Sequence, residues 1–148
     1  MSDAPDKTES KVEAAKRASR HLRGTIEETL RSDAPGFSEA DGGLLKFHGI
    51  YQQDDRDVRQ ERRKAGLGEK TMFMVRLAIP GGGLSADQYL RLDELADGHE
   101  IQSLRVTTRQ GLQFHGVLKD NLKHTIASVN QALLTTISAC GDVERNVM

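Results

Sequence analysis

Several polar side chains fall where the pattern around them is apolar or repetitive. Arg76 interrupts the apolar run of residues 71–79, TMFMVRLAI. Arg105 and Arg109 belong to the string RVTTRQGLQFH, residues 105–115, and Arg145 lies close to the last residue. A charge inside a buried strand needs a reason, because arginine is seldom buried without a partner. In extended chain, alternate residues share a face. Arg105, Thr107 and Arg109 therefore fall on one side of one strand, and Gln113 and His115 on one side of the next. Leu104, Val106, Leu112 and Phe114 take the opposite side and supply apolar groups for a covered surface. Guanidiniums hold carboxylate, phosphate or sulfur oxyanions through paired donors and stay charged at any working pH. The chemistry on offer is polyanion binding. The plainer alternative is an exposed polar sheet face with scattered arginines. No aromatic platform accompanies this face, so base stacking of the kind used by single-strand RNA binders is not supported.

The remaining reactive residues carry less. His21 and His124 sit amid polar helical sequence and His99 in a turn, all read as surface residues. His48 and His115 both occur in the string Phe-His-Gly, which alone specifies nothing. Cys140 is the single cysteine, so the chain by itself builds neither a disulfide nor a Cys-rich metal site.

These residues must be positioned by a small set of elements. Residues 71–79 read as a strand closed by Pro80 and three glycines. Residues 85–96 read as a helix, with Ser85 and Gln88 spaced as a capping box and Leu84 and Tyr89 as a staple. Residues 101–107 and 112–118 read as a hairpin turning at Arg109-Gln110-Gly111. A further helix follows, capped by Asp120 or Asn121, with Leu122, Ile126, Val129 and Leu133 on one stripe. Strand, helix, strand, strand, helix, with room for a short closing strand, is the split βαβ, ferredoxin-like α+β pattern. Both helices then cover one face and leave the other open.

Ahead of this unit, residues 8–31 read as a helix with a thin apolar stripe interrupted by Gly24. Asp41-Gly42-Gly43 reads as a hinge. The apolar run LLKFHGIY and the charged block QQDDRDVRQERRK, a solvated helix or loop, complete the approach. The expected division is a helical extension with hinge over residues 1–43, an extended arm with a charged helix or loop over 44–70, and the half domain over 71–148.

Bulk properties narrow the class. With 148 residues, 36% hydrophobic and 29% charged, the chain suits one modest core. A net charge of -1 disfavours a general nucleic-acid binder. No run approaches the roughly 20 apolar residues of a membrane helix. The first residues are polar without an apolar leader, and the expected compartment is the cytoplasm.

Four strings taken together are more specific: FHGIYQQDDRDVR, FMVRLAIPGGG, LRVTTRQGLQFHG and GDVERNVM. In this order and spacing they resemble the N-terminal part of the siroheme-dependent assimilatory sulfite reductases, hemoprotein component, and more loosely the ferredoxin-dependent nitrite reductases. The resemblance covers residues 44–148. It implies a ferredoxin-like half domain of a larger enzyme that reduces sulfite to sulfide. It also implies a siroheme rich in carboxylates, and a [4Fe–4S] cluster held by four cysteines that lie in the family beyond this stretch. The chain is thus expected to be a portion of a reductase, inactive alone. By the same resemblance Arg76 and Arg145 meet the substrate oxyanion. Arg105, Thr107, Arg109, Gln113 and His115 meet the cofactor. The implied electron donor is a flavoprotein using NADPH, or ferredoxin, with no membrane or nucleic-acid partner. The alternatives are a nitrite reductase portion and a non-catalytic module binding an anion or RNA. Glu144 and Ala78 depart from the family pattern at positions where a change is expected to bear on anion binding, and neither removes a matching arginine.

Overall fold

The computed structural model describes residues 10–99, 101 and 103–139. Helix α1 (Lys11–Ala18) starts at a capping box, in which Ser10 accepts from the Glu13 amide and the Glu13 carboxylate accepts from the Ser10 amide. It stops early, because Arg20, His21 and Leu22 all turn left-handed, with φ of 51°, 63° and 64°. Helix α2 (Ile26–Leu30) follows. The single helix expected over residues 8–31 is therefore two. The cause is a tertiary bond: the Asp41 carboxylate accepts from the Thr25 amide at 3.0 Å and from its hydroxyl at 2.5 Å, pinning the start of α2. Asp41 itself lies in helix α3 (Glu39–Leu45), whose N-cap Ser38 accepts from the Asp41 amide. Asp41-Gly42-Gly43 is thus helical backbone rather than a hinge.

The chain continues through β1 (Ile50–Asp54), α4 (Arg59–Lys64), β2 (Thr71–Leu77), α5 (Ala86–Gly98), β3 (Ser103–Val106), β4 (Leu112–Val117) and α6 (Lys119–Gln131). The strands form one antiparallel sheet in the order β1-β2-β4-β3. From β2 onward this is the split βαβ order, with β4 inserted between β2 and β3. The fold is α+β, a ferredoxin-like half domain with an N-terminal helical extension. The place beside β2 is taken by β1, which the sequence had placed in an arm outside the sheet. After α6, Thr135 forms only an isolated bridge with Ala78.

Phe73, Val75, Leu77, Leu112, Phe114 and Val117 face Leu92 and Leu95 of α5 and Leu122 and Val129 of α6 in one core. Each such side chain contributes about 1.5–3 kcal/mol on burial. Helix α5 has the expected Ser85–Gln88 capping box. Helix α6 starts earlier than its sequence suggests, at Leu118, with no side-chain cap. Lys119 in its first turn instead reaches the extension, donating to the carbonyls of Ser32, Ala34 (2.6 Å) and Thr29 (3.4 Å). Val106, expected on the covered side, is 77% exposed at the end of an edge strand.

Candidate anion-binding face

Strand register lines up three polar residues across the sheet. Arg76 on β2 is opposite Gln113 on β4, and Gln113 is opposite Arg105 on β3. His115 is opposite Ser103 one pleat along, on the same side. The parity expected from sequence thus holds for Arg105, Gln113 and His115, and the register adds Arg76 to them. Met72 and Met74 share this side but are buried, outside the main core. On strands β2, β3 and β4 the accessible part of the face is therefore the end that carries the arginines.

Two glycines shape it. Between the pairs Phe73–Val117 and Val75–Phe114, one residue of β2 faces two of β4, His115 and Gly116. This is a β-bulge, and Gly116 takes the left-handed conformation it requires, φ 83°. The bulge keeps His115 beside the arginines while dropping Val117 fully into the core. In the other Phe-His-Gly string, Gly49 has φ 75°, and its carbonyl accepts from the Arg76 amide at 2.8 Å. A Cβ there would press on the carbonyl oxygens of Thr136 and Arg76. The matching His48 points elsewhere and bonds through Nε2 to the Leu22 carbonyl at 3.1 Å, tying down the extension.

The Gln113 amide links the cationic row to the imidazole. Arginine offers only donors. The amide is therefore oriented with its oxygen toward Arg76, accepting from Nε at 2.7 Å and from one Nη at 2.5 Å. Its nitrogen then donates to His115 Nε2 at 3.0 Å. Arg105 Nε donates to Ser103 Oγ at 2.9 Å. Among the described residues, no carboxylate forms an ion pair with Arg76 or Arg105. Partial burial, then Arg105, then Arg76 hold the His115 pKa below its ordinary value. The site is thus a cationic patch around a neutral imidazole.

Thr107 and Arg109 belong to the turn beyond the last strand pair. Thr107 donates its amide to the Gly111 carbonyl at 2.8 Å, and its hydroxyl accepts from the Gly111 amide at 3.0 Å. Gln110, with φ 57°, takes the left-handed position of this three-residue hairpin loop. Arg109 is exposed in that loop, where strand alternation no longer sets its direction. Arg145 and Cys140 lie outside the described residues. His99 and His124 meet each other instead, with ring centroids 4.2 Å apart and planes tilted by 47°. The register also brings Tyr51 and Gln53 of β1 to this side, opposite Met74 and Met72. The sequence pattern missed them because the charge-dense block following Tyr51 hides the strand.

Residues 66–132 match the family model described as the nitrite/sulfite reductase ferredoxin-like half domain. The chain is 51% identical over 146 residues to the sulfite reductase [NADPH] hemoprotein beta-component of Anoxybacillus flavithermus, covering 98% of this chain and 26% of that protein. It is 54% identical over 138 residues to the protein of the same description from Staphylococcus carnosus, covering 93% of this chain and 24% of the relative. The chain therefore spans about a quarter of the length of these relatives. Among solved structures, the NirA protein of Mycobacterium tuberculosis superposes with a TM-score of 0.69 at 22% identity, over 92% of this chain and 26% of that one.

Proposed function

We propose, from the match of residues 66–132 to the nitrite/sulfite reductase ferredoxin-like half-domain model and the likeness to hemoprotein beta-components, that the chain is part of a siroheme-dependent sulfite reductase and supplies cationic contacts to cofactor and substrate. The observation that carries this reading is the row Arg76–Gln113–Arg105 with His115 beside it, free of carboxylate partners among the described residues. A ring that carries many carboxylates fits such a donor set, because fixed guanidiniums replace the water that its anionic groups lose. When bound, siroheme supplies the iron centre for the six-electron reduction of sulfite to sulfide.

The residues of this chain hold and orient. Arg105 and Arg109, beside and within a tight turn, suit permanent carboxylate partners, with Thr107, Gln113 and His115 lining the same place. Arg76, and Arg145 by its sequence context, suit the substrate oxyanion. There, fixed positive charge would hold the anionic substrate and favour negative charge on it. The chain has one cysteine, whereas a [4Fe–4S] cluster takes four thiolates in the usual case. Cluster ligation is accordingly assigned to polypeptide outside this chain. The relatives' description as a [NADPH] hemoprotein component supports a flavoprotein that uses NADPH as electron donor. Sulfite is preferred to nitrite because relatives about half identical in sequence bear the sulfite reductase name.

The test is titration of the purified chain with siroheme, followed at the Soret band, with haem as a control bearing fewer carboxylates. Siroheme should bind more tightly than haem. Arg105→Ala and Arg109→Ala should each weaken it by roughly one to two decades, the equivalent of about 1.5–3 kcal/mol for one charged hydrogen-bond partner. Equal affinity for both tetrapyrroles, unchanged by either substitution, would overturn the reading.

A further inference from the structure

We infer that Gln113 is a positioning residue: by giving its oxygen to Arg76 and its NH2 to His115, it fixes the guanidinium and selects the Nδ1–H tautomer of the imidazole, so that this row presents donors only. The geometry carries this step by step. Arg76 meets the amide oxygen through two nitrogens, at 2.7 and 2.5 Å, a paired contact that sets both the position and the plane of the guanidinium. That contact leaves the amide no choice of orientation, since an NH2 group turned toward arginine would set donor against donor. The amide nitrogen therefore faces His115 Nε2 at 3.0 Å. A ring nitrogen that receives an N–H must offer its lone pair, and in a neutral imidazole the proton then resides on the other nitrogen. The neutral form is the expected one here, because burial and the guanidiniums of Arg105 and Arg76 all oppose a second proton.

What remains for a ligand is uniform. The only ring nitrogen of His115 that could accept is occupied by Gln113, and its Nδ1–H has no hydrogen-bond partner among the described residues. The outer nitrogens of Arg76 and Arg105 are donors by nature. An anion bearing only lone pairs then meets no competing acceptor in the row. The significance of this for sulfite or siroheme rests on the function proposed above; the tautomer does not.

The test reads the tautomer directly. Long-range proton–nitrogen spectra of the 15N-labelled 148-residue chain near pH 7.5 should show His115 with a protonated Nδ1 and a bare Nε2. In Gln113→Glu the new carboxylate can only accept, so His115 should turn over to a protonated Nε2. In Gln113→Leu the preference for Nδ1–H should be lost. The signals of His21, His48, His99 and His124 report whether each variant keeps its fold. A wild-type ring protonated at Nε2, or a ring that stays Nδ1–H in a folded Gln113→Glu variant, would overturn the inference. Failure of siroheme to bind while His115 shows the Nδ1–H tautomer would count against the proposed function and leave this assignment standing.

Discussion

His115 is the residue where sequence, fold and chemistry meet most closely. Partial burial first, and then the charges of Arg105 and Arg76, lower its pKa below the ordinary 6.5. The unfolded chain therefore takes up that proton more readily than the folded one. The stability linked to this group is full above pH 6.5 and is lost as pH falls through the lower folded value. We expect the free energy of urea unfolding to fall between pH 7.5 and pH 5 by more in the wild type than in His115→Gln. Identical pH slopes for the two proteins would show that His115 is not held neutral by its surroundings. The grouping of Arg105, Gln113 and His115 was legible in the sequence because strand alternation has a period of two and each strand is short. The bridge from Gln113 to Arg76 was not. It depends on the register between β2 and β4, which are separated in the chain by α5 and β3 and share no turn that would fix their offset.

At the scale of elements, local signals succeeded where bonding is local. The Ser85–Gln88 capping box starts α5 as its spacing requires. They failed where a distant contact decides. Asp41 divides the first helix by holding Thr25, and Lys119 fixes the start of α6 by reaching carbonyls of the extension. Strand β1 was hidden because Gln52, Gln53 and Asp54 continue it with residues that propensity assigns to loops. Its entry into the sheet depends on Gly49, which alone allows the backbone to close on Arg76 and Thr136. Gly49→Ala should cost about 2–4 kcal/mol, through a left-handed φ and a methyl group forced against backbone oxygens. Urea denaturation measures it, and a loss below about 0.5 kcal/mol would contradict the close approach. The extension should be less protected than the sheet. Neither α1 nor α2 has a buried residue, whereas β2 is buried along most of its length. Amide exchange should be rapid in Lys11–Ala18 and slow in Thr71–Leu77, and comparable protection would refute this.

Over the whole molecule, the helices cover one side of the sheet and leave the arginine end of the other accessible. No helix among the described residues is long and apolar enough to cross a membrane. The chain spans 26% of the length of its Anoxybacillus relative. On the function proposed above, a face that supplies only some of the cations around a cofactor, in a chain with one cysteine, would not assemble the full reaction centre. The purified chain should accordingly release no sulfide from sulfite with reduced methyl viologen as donor, even after incubation with siroheme. Sustained turnover by a preparation of verified intact mass would refute this.

The bulge at Gly116 bears on how such sequences are to be aligned. A strand carries its inside and outside as a phase, and one surplus residue inverts it. Up to His115, odd-numbered positions of β4 belong to the arginine side; at Val117 an odd-numbered position belongs to the core. Substitution within this segment changes one side chain, whereas a one-residue deletion exchanges the roles of all those on one side of it. A one-residue gap misplaced within Phe114-His115-Gly116 would equate the imidazole with a glycine or a phenylalanine. Length here is therefore a stricter constraint than composition, and a related chain that lacks the extra residue would differ in the wiring of this face even where its arginines agree.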